Sequence, residues 1–268
     1  MKKIILYTDL DGTLLDHHDY SWQPAAPAIE ECKEINIPII LNTSKTFKEV
    51  SALQKELEVN EPFIIENGGA VWIPENYFSG HTGGLEVLGM DSKSILSRIE
   101  PLRKNYRFKS FSQMSNEEIA HLTDLPVESA SLAAQRSCSE PLIWLDSEEQ
   151  LEAFTEMLNS LDLQIVKGGR FYHLSGCSSK GQALEYVHNL YKDKFPGYEC
   201  LSVALGDSPN DISMLKVADI SVVIQRADET YLDVNGKDVR LAEGMGPAAW
   251  NVKVLSIIEE IFRGVKSE

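Results

Sequence analysis

Ile4-Ile5-Leu6-Tyr7-Thr8-Asp9-Leu10-Asp11-Gly12-Thr13 is the stretch on which the reading of this chain turns. Its apolar half is short, lies near the N-terminus and reads as a buried strand. Two acids follow at the carboxyl end of that strand. Asp9 and Asp11 stand two residues apart where the backbone leaves a sheet, so they can share one hard cation, with one carboxylate left free as a nucleophile. Gly12 permits the sharp turn that aims both groups into the same crevice. Taken alone, the pair fits a plain acidic cap between strand and loop equally well; later segments decide between the two.

Bulk properties narrow the function classes. The 268 residues suffice for one large domain or two ordinary ones, and 43% hydrophobic with 25% charged residues is a globular composition. A formal net charge of -16 argues against a nucleic-acid partner and a polybasic membrane anchor. It leaves room for an anionic small molecule, because a bound divalent cation and a few local bases reverse the sign inside a pocket. No apolar stretch approaches the ~20 residues of a membrane span. Asp9 and Asp11 cut short what would otherwise resemble the start of a signal peptide. Cys32, Cys138, Cys177 and Cys200 form no Cys-x-x-Cys pair and suit free thiols in a reducing cytosol, so a cytoplasmic location is expected. His17-His18 reads as a solvated loop. Nothing in the sequence fixes an oligomeric state.

Five near-continuous apolar runs carry the organisation: Lys3–Tyr7, Pro38–Leu41, Pro62–Ile65, Leu201–Leu205 and Ile220–Ile224. Such runs are expected of strands covered on both faces of a parallel sheet. Helical spacing separates them at Pro27–Ile35, Phe47–Leu57 and Gly181–Tyr191, and again at Pro247–Phe262. The alternation predicts a doubly wound, mostly parallel, Rossmann-like α/β sheet. The segment between Ile65 and Lys180 breaks the rhythm, with a helix expected over Glu148–Leu158 and a strand over Gly169–Leu174. Residues 81–174 are therefore expected to form an inserted α/β domain, with residues 1–80 and 175–268 as a discontinuous core. Within the insert, Lys93–Lys109 is rich in bases; a solvated helix face is expected there ahead of an anion site.

Ligands of open α/β sheets bind beyond the carboxyl ends of the strands. After the second run comes Asn42-Thr43-Ser44-Lys45-Thr46, after the third Glu66-Asn67-Gly68-Gly69, and after the fourth Gly206-Asp207-Ser208-Pro209-Asn210-Asp211. Polar and acidic groups from four strand ends would thus meet at one crevice. Thr43 can donate its hydroxyl to a phosphoryl oxygen, although Thr43 or Ser44 can equally be an ordinary helix N-cap. Asp207 can complete a cation site with Asp9 whose oxygens suit Mg²⁺, and Asp211 would orient Asp207 or a metal-bound water. Lys180 opens a helix, where its point charge could hold a phosphoryl group beside Asp9.

These residues resemble the haloacid-dehalogenase-like phosphohydrolases, whose four short signatures occur here in order at Asp9–Thr13, Thr43, Lys180-Gly181 and Gly206–Asp211. An insert between the second and third is similar to the branch with a large α/β cap. The resemblance implies that Asp9 attacks phosphorus to form an aspartyl-phosphate, and that Asp11 protonates the leaving oxygen and then activates water. It implies Mg²⁺ held by Asp9, the backbone carbonyl of Asp11 and Asp207, with Thr43 and Lys180 on the remaining phosphoryl oxygens. Ser44 and Gly12 join the expected substrate-binding residues.

Asn42–Thr46, Phe63–Gly69, Gly168–Leu174 and Gly246–Asn251 are further similar to the mannosyl-3-phosphoglycerate phosphatase subgroup, which implies a phosphorylated sugar acid as substrate: removal of phosphate from a glycosylated 3-phosphoglycerate, mannosyl-3-phosphoglycerate giving the compatible solute mannosylglycerate. Lys167 and Arg170, flanking Gly168-Gly169, could then meet its carboxylate. His173 could contact a hydroxyl, although a half-buried strand histidine is the plainer expectation. Gly68-Gly69 would form the hinge into the cap. Competing readings are a broader sugar-phosphate phosphatase acting on glucosyl-3-phosphoglycerate or sucrose 6-phosphate, a phosphomutase, and a non-catalytic binding module.

Overall fold

A computed structural model describes residues 2–167 and 171–264. Along the first half of the chain run β1 (Lys2–Thr8), α1 (Ala26–Glu34), β2 (Ile39–Leu41), α2 (Phe47–Leu57), β3 (Phe63–Ile65), β4 (Ala70–Ile73) and β5 (Gly84–Val87). There follow α3 (Ser92–Ile99), β6 (Phe108–Ser110), α4 (Asn116–Thr123), α5 (Val127–Ala133), β7 (Ser139–Trp144), α6 (Glu148–Asn159), β8 (Leu163–Lys167) and β9 (Tyr172–Gly176). The chain then enters α7 (Lys180–Lys194), β10 (Glu199–Gly206), α8 (Ile212–Val217), β11 (Ile220–Ile224), β12 (Val239–Ala242) and α9 (Gly246–Ile258).

The central sheet has the order β12-β11-β10-β1-β2, with every neighbouring pair parallel. The alternation of β1 shows why its sequence has no polar face. Ile4 and Leu6 pack with Ala28, Ile29, Trp250 and Val254 from α1 and α9. Ile5 and Tyr7 point the other way, into Leu184, Val187 and Tyr191 of α7 and Met214 of α8. Each such side chain contributes roughly 1.5–3 kcal/mol by leaving water. From β1 the chain moves outward to β2 on one side; from β10 it moves outward to β11 and β12 on the other. The order therefore reverses between β1 and β10, where crevices open in such sheets.

The third apolar run departs from expectation. Phe63–Ile65 belongs to a three-stranded antiparallel sheet, β3-β4-β5, and meets the end of β2 only through an isolated Asn42–Ile64 bridge. The fifth strand of the central sheet, β12, which sequence reading left out, takes the edge beside β11. Val239-Arg240-Leu241 alternates and is half exposed, so it lacks the continuous apolar run of a central strand.

Residues 90–176 carry their own antiparallel sheet, β6-β7-β9-β8. One face is covered by α3 and α6 through Ile95, Ile99, Phe154 and Leu158, which close over Leu142 and Leu174. His173 and Pro141 occupy the opposite face and border a cavity. The bases between Lys93 and Lys109 do not line that cavity. Arg98, Arg103, Arg107 and Lys109 pair instead with Asp162, Glu100, Asp146 and Glu118. No described helix is long and apolar enough to cross a membrane.

Candidate active site

The end of β1 is held by β10 and by α9, which is itself tied to α1. Asp9 N–H donates to the Leu205 carbonyl at 3.0 Å and extends the β1–β10 ladder. Trp250 Nε1 donates to Thr8 Oγ1 at 3.0 Å, while Asn251 Oδ1 accepts from Ala28 N–H at 2.9 Å. The closing helix α9 thus supports the strand end that carries Asp9. Gly12 then turns the chain at φ +78°, and Thr13 Oγ1 donates to Asp207 Oδ1 at 3.0 Å across the strand boundary.

Lys180 is the centre of the charge arrangement. Ser179 caps α7 by accepting from Gln182 N–H, which sets Lys180 in the first turn. Its side chain is wholly buried and its ammonium donates to Asp9 Oδ1 and Asp211 Oδ1, both at 2.6 Å. Asp211 turns its other oxygen back to the N–H groups of Asp207 and Ser208 at 3.1 and 2.9 Å, and so fixes the loop after β10. Carboxylate oxygens of Asp9, Asp207 and Asp211 lie within 4.8 Å of one another, a group able to hold a metal ion.

The resemblance expects Mg²⁺ on the backbone carbonyl of Asp11, not on its carboxylate. The third carboxylate of the group is Asp211, while the Asp11 carboxylate turns to Lys45 Nζ at 2.8 Å. The turn at Gly12 brings Asp11 into a bridge with Leu15 and faces it toward the loop before α2. Asp211 accepts from Lys180, Asp207 N–H and Ser208 N–H, whereas Asp207 accepts only from the Thr13 and Ser208 hydroxyls, at 3.0 and 3.3 Å, among the described residues.

Burial governs the acidities. It pushes Asp9 up to about 7, with Asp211 and Asp11 adding to the rise and Lys180 opposing it. Burial, and then the neighbouring Asp9, push Asp207 up to about 6 against the pull of Thr13 and Lys180. For Lys180 burial alone would lower the value, but the Asp211 and Asp9 carboxylates outweigh it and keep the ammonium charged. Three acids around one ammonium leave an excess of negative charge that a cation would relieve.

Thr43 is buried behind the rim, with its N–H on the Ile64 carbonyl and its hydroxyl accepting from Lys45 N–H at 3.2 Å. Neither Thr43 nor Ser44 caps α2. That place belongs to Thr46, in a reciprocal box with Glu49. Ser44, Lys45 and Asp11 instead border a cavity of about 590 Å³. Its far wall comes from the insert, including Phe111, Leu132, Arg136 and His173. Burial first, and Arg136 second, lower His173 to about 4, so it is neutral at physiological pH. Lys167 does not border the cavity; its ammonium lies over the Tyr172 ring, 5.8 Å from the centroid. Arg170, with Gly168-Gly169, lies outside the described residues.

Three residues gained roles that sequence reading did not give them. Lys45, within Asn42–Thr46, pairs with Asp11. Arg136 had no local signal at all; its Nη1 donates to the Ser44 carbonyl at 2.7 Å. Glu66 follows the third apolar run, where the sequence predicts a rim residue, but its buried carboxylate accepts from Ser137 N–H, Cys138 N–H and Ser139 Oγ at 2.7, 3.0 and 2.6 Å. Gly68 lies so close to α7 that an added Cβ would fall 2.1 Å from the Ser179 carbonyl oxygen.

Fold and site define an α/β protein whose acid-rich crevice, at the switch point of a parallel sheet, lies under an antiparallel-sheet insert. The family model described as haloacid dehalogenase-like hydrolase matches residues 6–236, and the chain belongs to that family. It is 40% identical to the glucosyl-3-phosphoglycerate/mannosyl-3-phosphoglycerate phosphatase of Persephonella marina, over 97% of this chain and 99% of that protein. Identity to the protein of the same name from Methanococcoides burtonii is 37%, covering 96% and 97% of the two chains. A haloacid dehalogenase-like hydrolase of solved structure from B. subtilis shares the fold with a TM-score of 0.62 at 21% identity, over 96% of this chain and 99% of that one.

Proposed function

We propose that this chain is a Mg²⁺-dependent phosphatase that releases phosphate from a glycosylated 3-phosphoglycerate, carrying mannose or glucose. The observation that carries the chemistry is the Lys180 ammonium, fully buried and 2.6 Å from both Asp9 and Asp211 beside Asp207. Full-length likeness at 40% identity to a protein named for both phosphoglycerate substrates supports the substrate class. The thiols of Cys32, Cys138, Cys177 and Cys200 are all free, which supports a reducing, cytoplasmic setting.

Phosphomonoester hydrolysis is intrinsically so slow that positioning and charge neutralisation must supply most of the rate. Asp9 attacks phosphorus in line and becomes an aspartyl-phosphate as the ester oxygen leaves. Asp11 gives that oxygen its proton, and later takes one from the water that hydrolyses the acyl phosphate. Lys45 pairs with Asp11 and holds it in the cavity between these tasks. Lys180 damps repulsion between Asp9 and the incoming dianion, and the Thr43 hydroxyl holds a phosphoryl oxygen. Asp9, Asp207 and the Asp11 carbonyl would hold Mg²⁺; the all-oxygen group of clustered carboxylates fits a hard cation. When bound, the ion neutralises phosphoryl oxygens as charge develops on them. The insert, residues 81–174, serves as the cap that selects the substrate and keeps bulk water from the first step.

The test is a phosphate-release assay on mannosyl-3-phosphoglycerate, glucosyl-3-phosphoglycerate and sucrose 6-phosphate, with Mg²⁺ and after chelation. Turnover of either phosphoglycerate, lost on chelation, is the expected result. Preferred turnover of sucrose 6-phosphate would overturn the substrate class, and no release from any of them would overturn the activity.

A further inference from the structure

The cavity beside Asp11 holds a positive charge to which the reaction described above gives no task. Lys45 and Arg136 are the permanent cations among its described lining residues. Lys45 is matched by Asp11 at 2.8 Å. Arg136 is not matched by any acid within ion-pair distance among the described residues. Among the described residues its guanidinium is held by main-chain oxygens alone, Nε on Ala133 at 2.9 Å and Nη1 on Ser44 at 2.7 Å. Arg98, Arg103, Arg107 and Arg240, by contrast, each stand within 3.5 Å of a carboxylate. A half-buried cation left without a counter-charge, with N–H groups to spare, is suited to an anion from outside the chain.

Its position says which anion. Ser44 follows Thr43 directly, so a group seated on Arg136 lies next to the rim where Thr43 and Asp11 are expected to meet the ester. A second phosphate is not required. In a three-carbon phosphorylated acid the remaining anion, a few bonds from the phosphate, is a carboxylate. The two carbonyl bonds orient the planar fork in advance, which favours bidentate binding of a planar carboxylate.

Resting on the phosphoglycerate reading above, we infer that Arg136 recognises the carboxylate of the substrate's acid half and so selects phosphorylated sugar acids over neutral sugar phosphates. The assignment differs from the expectation for Lys167, which does not border the cavity; Arg170 lies outside the described residues.

The test uses two probes that differ only in that group, 3-phosphoglycerate and glycerol 3-phosphate, as competitive inhibitors of aryl phosphate hydrolysis by the full chain with Mg²⁺. The parent should bind 3-phosphoglycerate the more tightly, and Arg136→Gln should shrink the ratio of the two inhibition constants by on the order of 30-fold. Arg136→Lys keeps a charge and a donor for Ser44 but loses the fork, so it should fold like the parent and retain only part of the preference. An unchanged ratio in both variants would overturn the assignment while leaving the substrate class intact. Equal weakening of both probes would overturn it too, by showing that Arg136 only ties the insert to the Ser44 loop. A parent with no preference between the probes would also overturn it; turnover of the glycosyl phosphoglycerates in the release assay would show whether the substrate class falls with it.

Discussion

A methyl group at position 12 would stand 2.8 Å from Asp207 Oδ2, and the backbone there holds φ +78°. Both facts predict the outcome of Gly12→Ala. The left-handed backbone alone costs an L-residue roughly 1–2 kcal/mol. The contact would also push Asp207 away from Asp9 and spoil the acid group. We expect a stability loss of about 1–2 kcal/mol in denaturant melts, with Mg²⁺ affinity down about tenfold or more in chelator competition. Parent-like affinity would refute the close approach. Asp9→Asn tests a different property of the same group. Asparagine keeps the shape and a contact for Lys180 but has no nucleophilic oxygen, so phosphate release should fall by about 10³-fold or more. Near-parent turnover would remove Asp9 from the nucleophile's place.

Glu66 shows what a single side chain does for the arrangement of elements. It leaves β3 with φ +50°, buries its carboxylate and accepts three hydrogen bonds from residues that lead into β7. The core turn and the insert sheet are thereby strapped together next to the Gly68 approach to α7. Glu66→Ala would leave two N–H groups and one hydroxyl without their acceptor, each costing about 1–3 kcal/mol when buried. We expect a loss of about 3 kcal/mol or more in thermal melts, and about half of that for Glu66→Gln, which keeps one acceptor oxygen. An alanine variant that melts with the parent would rule the strap out. The sequence disclosed such elements unevenly, and for physical reasons. Runs such as Ile4–Tyr7 and Leu201–Leu205 were legible because both of their faces are covered, so no polar residue interrupts them. Phe63–Ile65 was recognised as a strand, but its antiparallel partner was not, because a short apolar run does not encode its neighbour. Asp9, Lys180 and Asp207 were legible because each follows a strand or opens a helix. Arg136 was not: its meeting with Ser44 joins positions 92 residues apart through packing of α5 on α2, and no local pattern carries that.

Across the whole molecule, the charge of -16 is felt most where buried acids converge. Asp207 rises from the ordinary 3.8 to about 6, and Asp9 to about 7, chiefly through burial. In the unfolded chain both titrate near their ordinary values, so between pH 4 and 7 these two acids bind more protons in the folded, metal-free protein than in the unfolded one. Their contribution to stability therefore falls as pH rises through that window, because the acids must ionise while buried. A divalent cation binds the ionised, folded form and opposes the loss. The melting temperature of the Mg²⁺-loaded protein should accordingly exceed that of the chelated protein by a margin that widens from about pH 5 to about pH 7.5, over the interval set by these acidities. Chelation measured at both ends of the range separates this effect from general acid unfolding, which moves both forms together. The same competition between proton and metal predicts weaker Mg²⁺ binding at the acid end, and turnover at limiting Mg²⁺ that declines there first. A margin independent of pH would mean that the cation does not bind at Asp9 and Asp207, and the metal site proposed for this crevice would have to be sought elsewhere in the molecule.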